Sequence, residues 1–268
     1  MVNLGKRNVL GVLVDAVDYK YSIEKIIDCA DKGKGLSVTA LAVHGVMTAH
    51  IDPVLRYRIN HLDLVVPDGQ PVRWAMNSLY KTQLKERVYG PELMLRVCAQ
   101  AAERDIPIFL FGSSQTVLQR LTENLKTAYP KLPIAGTRAS AFRRLDDPEN
   151  RALLDQIKDS GAKIVFVGLG CPRQEVWAFE NTPTLSLPVI AVGAAFDFHA
   201  GTVPQAPFWM QSRGLEWLYR LTREPVRLWR RYLLLNPYFI WLFMLQKSGL
   251  VSFNPEKSVE PQTPIRFG

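Results

Sequence analysis

The chain has 268 residues, 47% hydrophobic and 22% charged, which allows a sizeable buried core and excludes a fibrous or wholly disordered protein. Its net charge of +8 is concentrated, with six arginines against two glutamates between Arg213 and Arg231, a patch suited to phosphates or anionic lipid. No zinc-finger spacing or basic–aromatic RNA motif accompanies it, so nucleic acid is not expected as a partner.

Cys29, Cys98 and Cys171 are scattered singly, which argues against a disulfide framework or zinc site and for a reducing compartment. Met1 to Leu13 holds only a short apolar run with no cleavage-like site, so no signal peptide is expected. Val9 to Val14 predicts a first strand. Tyr21, Ile23, Ile26, Ile27 and Ala30 recur at helical spacing around a capping Ser22. Gly33 and Gly35 interrupt the pattern before a second strand, Leu36 to Leu41, with Thr39 near its end. His44 follows at the turn into a helix. It reads either as a structural histidine among apolar neighbours or as a ligand contact.

Leu64 to Val66 is an apolar strand end followed by Pro67, Asp68 and Gly69. Pro67 keeps the preceding residue extended and Gly69 lets the backbone bend. Asp68 is thereby aimed outward as a general base requires, although Pro-Asp-Gly also favours an ordinary turn. Val72 to Ser78 reads as a helix and Lys81 to Arg87 as a charged connection. Pro91 suits the first position of a helix from Glu92 to Arg104. Arg87, just before it, reads as a solvated charge or a phosphate clamp.

Strand-then-helix units continue: Pro107–Gly112, a helix from Thr116 to Tyr129, Ile134–Gly136, a helix from Asp147 to Ser160, Ile164–Gly170 opening into the helix after Pro172, and Val189–Val192. Continuous apolar runs suit parallel strands buried on both faces, and the alternation predicts a layered parallel α/β sheet. Gly112, Gly168, Gly170 and Gly193 fall at strand ends along the carboxyl edge, the ligand crevice of such sheets, where helix N-termini favour a diphosphate. No full Gly-x-Gly-x-x-Gly fingerprint occurs, which weakens the reading of a soluble nucleotide-dependent oxidoreductase.

From Arg220 to Arg231 the arginines cover an arc of roughly 100° on a helix, and Pro225 should kink or split that helix. Tyr232 to Leu245 is too short and interrupted to span a bilayer, which takes ~20 apolar residues. It suits an interfacial helix with aromatic anchors and a cationic flank, or a core helix packed on the sheet. Ser248 to Gly268, rich in Pro and polar residues, predicts a disordered tail. The expected organisation is a core over residues 1–205, a basic and aromatic appendage over 206–247 and the tail over 248–268.

Five motifs occur in order: Pro67-Asp68-Gly69; Arg87-Val88-Tyr89-Gly90; Gly168 through Glu175 (Gly-Leu-Gly-Cys-Pro-Arg-Gln-Glu); Phe196-Asp197-Phe198-His199-Ala200-Gly201; and Glu216 through Arg227. Together they resemble the WecG/TagA/CpsF family of bacterial glycosyltransferases over residues 8 to 245. The resemblance implies a Rossmann-like fold and inverting transfer from a UDP-sugar to a polyprenyl-diphosphate-linked sugar. It also implies a place at the cytoplasmic membrane face, a C-terminal appendage touching that surface, and a homo-oligomer. Asp68 matches the family's general base and Arg87 a basic residue of the cleft. Thr39 and Gln174 match positions near the sugars, Asp197 an acid of the nucleotide pocket, and Arg220, Arg227 and Arg230 the arginines facing the diphosphates. No cofactor is implied. No Asp-x-Asp occurs, so no metal is expected, and arginines supply the positive charge instead. Leu41 stands where the family often has asparagine, a departure bearing on the donor sugar, with His44 as a candidate replacement for the lost polar contact. A non-catalytic membrane-bound scaffold is the remaining alternative.

Overall fold

The first strand is in fact a hairpin. In the computed structural model, which describes residues 1–268, β1 (Asn3–Val9) and β2 (Val12–Val17) pair antiparallel. The apolar run from Val9 to Val14 hides the turn, because Leu10 and Gly11 both adopt positive φ, 56° and 88°. That is the backbone a two-residue hairpin turn demands. The Asn8 side chain accepts the Gly11 N–H at 2.7 Å and closes the turn.

Six strands then form one parallel sheet: β3 (Leu36–Leu41), β4 (Leu64–Pro67), β5 (Ile108–Gly112), β6 (Ile134–Arg138), β7 (Ile164–Gly168) and β8 (Pro188–Ala191), ordered β4-β3-β8-β7-β5-β6. Helices flank it on both faces. Side chains alternate between two cores: Ile164 and Phe166 of β7 enter one, Val165 and Val167 the other. A strand sandwiched this way must be apolar at every position, which is why these runs are continuous. Fully burying one such side chain contributes about 1.5–3 kcal/mol. The edge strand β4 is covered by the hairpin, and the buried Asp15 carboxylate accepts its Val65 N–H at 2.7 Å, which keeps that edge from pairing with another chain.

Pro225 splits the basic segment into helices Glu216–Arg223 and Pro225–Trp229. A π-helical turn, Arg230–Leu234, leads on into helix Leu235–Lys247. Phe239 and Leu242 of that last helix are buried in the core while Ile240, Trp241 and Met244 on its other side are exposed. No helix is long and apolar enough to cross a membrane.

The segment expected to be a disordered tail runs instead as an extended arm. Phe253, Ile265 and Phe267 pack against the core. Backbone bonds tie Val259 N to Pro53 O, Leu145 N to Arg266 O and Gly268 N to Arg143 O. A few apolar anchors among many prolines and polar residues are enough to seat the arm, which bulk composition does not reveal.

Candidate active site

Asp68 follows directly on β4. Its N–H donates to Leu41 O at 3.2 Å, and its Oδ1 accepts the Gly90 N–H at 3.0 Å, so backbone on either side holds the carboxylate. Burial pushes its carboxyl up to about 6; Arg87, the Gly90 N–H and Arg220 work against that rise, and Glu216 adds to it.

Two adjoining cavities meet at this residue. The larger, about 520 Å³, lies along the carboxyl edge of the sheet; the smaller, about 110 Å³, lies beneath the C-terminal helices. Ala42, Asp68, Glu216, Arg220 and Arg231 line both. The site residues named from sequence distribute unevenly between them. Gln174, Asp197, Gly168, Gly170, Gly193, Arg220 and Arg227 line the larger cavity, and Arg87, His44 and Arg220 the smaller.

Three of the expected residues stand elsewhere. Thr39 is fully buried below the floor, where its Oγ1 donates to Glu175 Oε1 at 3.0 Å. It faces the helix Arg173–Leu185 because odd positions of β3 point to that side. Gly112 is also outside the cavity wall; Ser113 and Ser114 take its place there. Arg230 is turned outward, its guanidinium 5.2 Å from the Trp229 ring centroid, and Arg231 enters both cavities instead. Arg231 sits four residues after Arg227, the spacing that shares a helix face.

The glycines divide by role. A Cβ on Gly112, at φ +117°, would fall 2.6 Å from the Gly168 carbonyl carbon, and one on Gly168 would fall 2.6 Å from the Phe196 ring. Both serve close packing of β5, β7 and the helix Ala195–His199. Gly112→Ala should therefore lower stability by about 1–3 kcal/mol, the usual cost of overpacking, read as a lower urea midpoint at unchanged slope. Gly170 and Gly193, at φ +77° and +58°, form the turns that face the cavity. Gln174 links them: its Oε1 accepts the Gly170 N–H at 3.2 Å, and its amide lies beside Gly193.

Glu175 is buried and receives bonds from Thr39 Oγ1 and from Gln174 Nε2 at 2.9 Å. Burial raises its pKa despite them. Asp197 is likewise raised by burial, with Arg227 opposing.

Arg87 is paired rather than free, while still lining the smaller cavity. Its Nη2 donates to Glu216 Oε2 at 2.8 Å and to Gln211 Oε1 at 3.2 Å, and its guanidinium lies 4.0 Å from the Tyr89 ring centroid. Tyr89 Oη completes the cluster by donating to Glu216 Oε1 at 3.0 Å. These bonds clamp the C-terminal segment to the β4 side of the sheet. Losing one partner of a largely buried pair is costly because the other charge stays unpaired.

Sequence reading missed Glu216, Tyr89, Arg173 and Arg231 as wall residues. Tyr89 and Glu216 stand inside quoted motifs, and the Arg227-to-Arg231 spacing was a usable signal; Arg173 carried none beyond its motif. Leu41 is almost fully buried and packs on Gly45, where a Cβ would come 2.4 Å from Leu41 Cδ1. Leu41 thus sits in an apolar contact, and His44 lines the smaller cavity.

Fold and site define an α/β protein with a polar, arginine-lined cavity at the carboxyl edge of a parallel sheet, the place where such folds take their ligands. The chain belongs to the WecG/TagA/CpsF family of glycosyl transferases, whose family model matches residues 7–251. Membership implies glycosyl transfer from a nucleotide-sugar donor to an acceptor, which displaces the oxidoreductase alternative.

Proposed function

We propose that the protein transfers a sugar from a UDP-sugar to a sugar carried on a polyprenyl diphosphate, with inversion at the anomeric carbon, at the cytoplasmic membrane face. The observation that carries this reading is Asp68 in the wall shared by two cavities, together with Arg220 and Arg231. The donor occupies the larger cavity, its diphosphate against the glycine turns and Arg220, Arg227 and Arg231. The acceptor hydroxyl enters from the smaller one. Asp68 accepts the hydroxyl proton as the oxygen bonds to the anomeric carbon, and the bond from that carbon to UDP breaks on the opposite face. The electron pair leaves on the β-phosphate, where guanidinium groups offset the growing charge. The Arg87–Glu216 clamp holds the C-terminal wall in register for this step.

The reading is tested by thermal shift across a panel of UDP-sugars followed by transfer to a short-chain lipid-diphosphate sugar. Ligand that binds the folded form raises apparent stability; no shift with any UDP-sugar would sink it. Transfer should persist in EDTA, because arginines supply the charge a metal would bring. A strict requirement for added Mg²⁺ or Mn²⁺ would contradict that.

Membrane contact is supported by an apolar, basic exterior on the same segment. Phe208 and Val226 are 83% and 88% exposed, Trp229, Leu233 and Trp241 are also exposed, and Arg230 lies beside Trp229. Such surfaces mark interaction sites, and aromatic residues next to arginines suit a lipid headgroup layer. Replacing Val226 and Trp229 together by aspartate should move the protein from the pellet to the supernatant in sedimentation with anionic liposomes. Unchanged pelleting would assign the surface to another contact.

A further inference from the structure

The rim of the larger cavity carries a strained aromatic side chain. Phe142 lines that cavity yet is 60% exposed, and its φ is 57°. A bulky residue seldom takes the left-handed backbone, and such a conformation persists only where its surroundings hold it. Phe142 lies in the loop from Ala139 to Leu145, between β6 and the helix Asp147–Asp159. This loop and the C-terminal arm both fall outside the five sequence motifs.

The loop is held from two directions, which meet at one hydroxyl. On the sheet side, the Ser140 N–H donates to Ser113 O at 2.9 Å, just past the end of β5. On the outer side the arm pairs with the loop. The Leu145 N–H donates to Arg266 O at 2.9 Å and the Gly268 N–H to Arg143 O at 3.0 Å, flanking an antiparallel bridge between Arg144 and Phe267. Ser140 joins the two: its Oγ accepts the Phe142 N–H at 2.9 Å and donates to Gly268 O at 2.7 Å. A hydroxyl donates and accepts at once, so the backbone of Phe142 is fixed to the arm through one side chain. The arm is seated in turn by Phe253, Ile265 and Phe267 on the core and by the Arg266–Asp147 ion pair.

Strand order places Phe142 relative to the reaction. Asp68 follows β4, at one edge of the sheet, and Ser113 follows β5, four strand spacings away, roughly 19 Å. The larger cavity spans that distance, with Asp68 at one end and Ser113, Ser114, Val117 and Phe142 at the other. A donor whose anomeric carbon lies beside Asp68, and whose diphosphate meets the glycine turns after β7 and β8, extends its nucleoside toward β5. A flat base offers a π-face to an aromatic wall there.

We infer that the C-terminal arm is a positioning element of the donor site, holding Phe142 over the nucleoside end of the larger cavity through the Ser140 hydroxyl. This inference rests on the transfer reaction proposed above, in which the donor fills that cavity. It gives the arm a role beyond packing and accounts for the strained backbone at Phe142.

The test measures UDP affinity by calorimetry, donor and acceptor KM, kcat and thermal unfolding. The variants are Phe142→Gly, Ser140→Ala, Ser140→Thr, Phe267→Ala, and Phe142→Gly combined with Ser140→Ala or with Phe267→Ala. Phe142→Gly should raise the UDP Kd about tenfold, the loss usual when an aromatic wall of a base is removed. Its Tm should stay near wild type, because glycine takes the left-handed backbone without strain. Ser140→Ala and Phe267→Ala should each raise the UDP Kd and donor KM about three- to tenfold, with kcat and acceptor KM held within about twofold, the pattern of lost donor binding. Ser140→Thr, which keeps the hydroxyl, should recover most of the affinity. In the Phe142→Gly background neither Ser140→Ala nor Phe267→Ala should weaken UDP binding further, because both act through the ring. Additive losses would overturn the inference, as would a folded Ser140→Ala that binds UDP like wild type. A Phe267→Ala that lowers Tm alone would reduce the arm to packing and overturn it equally; should that variant fail to fold, the Ser140→Ala pair carries the comparison. Wild-type protein that binds neither UDP nor any UDP-sugar would instead overturn the proposed reaction, and the inference with it.

Discussion

Asp68→Asn should reduce transfer by about 10²–10⁴-fold, the range supplied by a positioned base, while UDP affinity stays close to wild type. The amide keeps the size of the side chain and its bond from the Gly90 N–H, so the turn is preserved; only the capacity to take a proton is lost. The same substitution should raise stability at pH 7. Burial lifts the folded-state pKa from its ordinary 3.8 to about 6, so folding favours the protonated form. That contribution is fully present below the unfolded-state pKa and is lost as pH rises through the folded-state value, leaving the ionised carboxylate as a cost at neutral pH. A neutral asparagine removes that cost, and a gain near 1 kcal/mol would appear as a Tm higher by about 2–4 °C. Loss of activity together with a gain in Tm separates a catalytic carboxylate from a structural one. A variant that is inactive and also less stable would point to a broken turn.

Arg231→Gln should lower kcat/KM by about 10²–10³-fold, the loss usual for one stabilising donor at a developing oxyanion. Arg230→Gln should leave transfer to a soluble acceptor analogue nearly unchanged. The two residues are adjacent in sequence and carry the same charge, so net charge and composition are matched between the variants. They differ in direction: Arg231 lines both cavities and its Nε is buried without a partner, whereas Arg230 lies outside over Trp229. Burial and the nearby Arg220 and Arg227 lower the Arg231 pKa from its usual value, the condition of a cation that gains when an anion arrives. Equal losses in both variants would mean the patch acts through bulk charge and not through an aimed side chain.

Most of the sheet was legible because a strand buried on both faces has no choice but to be apolar throughout, and β5, β7 and β8 announce themselves this way. Asp68 was legible for a related reason: an acid directly after Val66-Pro67 cannot stay inside the strand. Pro225 divided its helix because proline removes a backbone donor. The hairpin was not legible, since Leu10 is apolar although it occupies a turn. Local pattern left Arg87 open between a solvated charge and a clamp because its partner, Glu216, lies 129 residues along the chain. Thr39 does lie near the end of its strand but serves Glu175, a contact 136 residues away. Arg230 and Arg231 fall on one broad arc in a helical projection, and only the packing of Leu228 and Tyr232 into the protein decides which of the two turns inward.

The proposed transfer turns on the proton taken by Asp68, and the pH dependence of kcat/KM reports that proton most directly, since it follows the free enzyme's essential base. Wild type should lose activity on an acid limb near pH 6, where the Asp68 carboxyl takes up its proton. In Glu216→Gln the limb should move to lower pH, because the carboxylate that raises the Asp68 pKa has become neutral. A kcat/KM that stays flat from pH 7 to pH 5, or a limb that shifts upward in Glu216→Gln, would contradict Asp68 as the base.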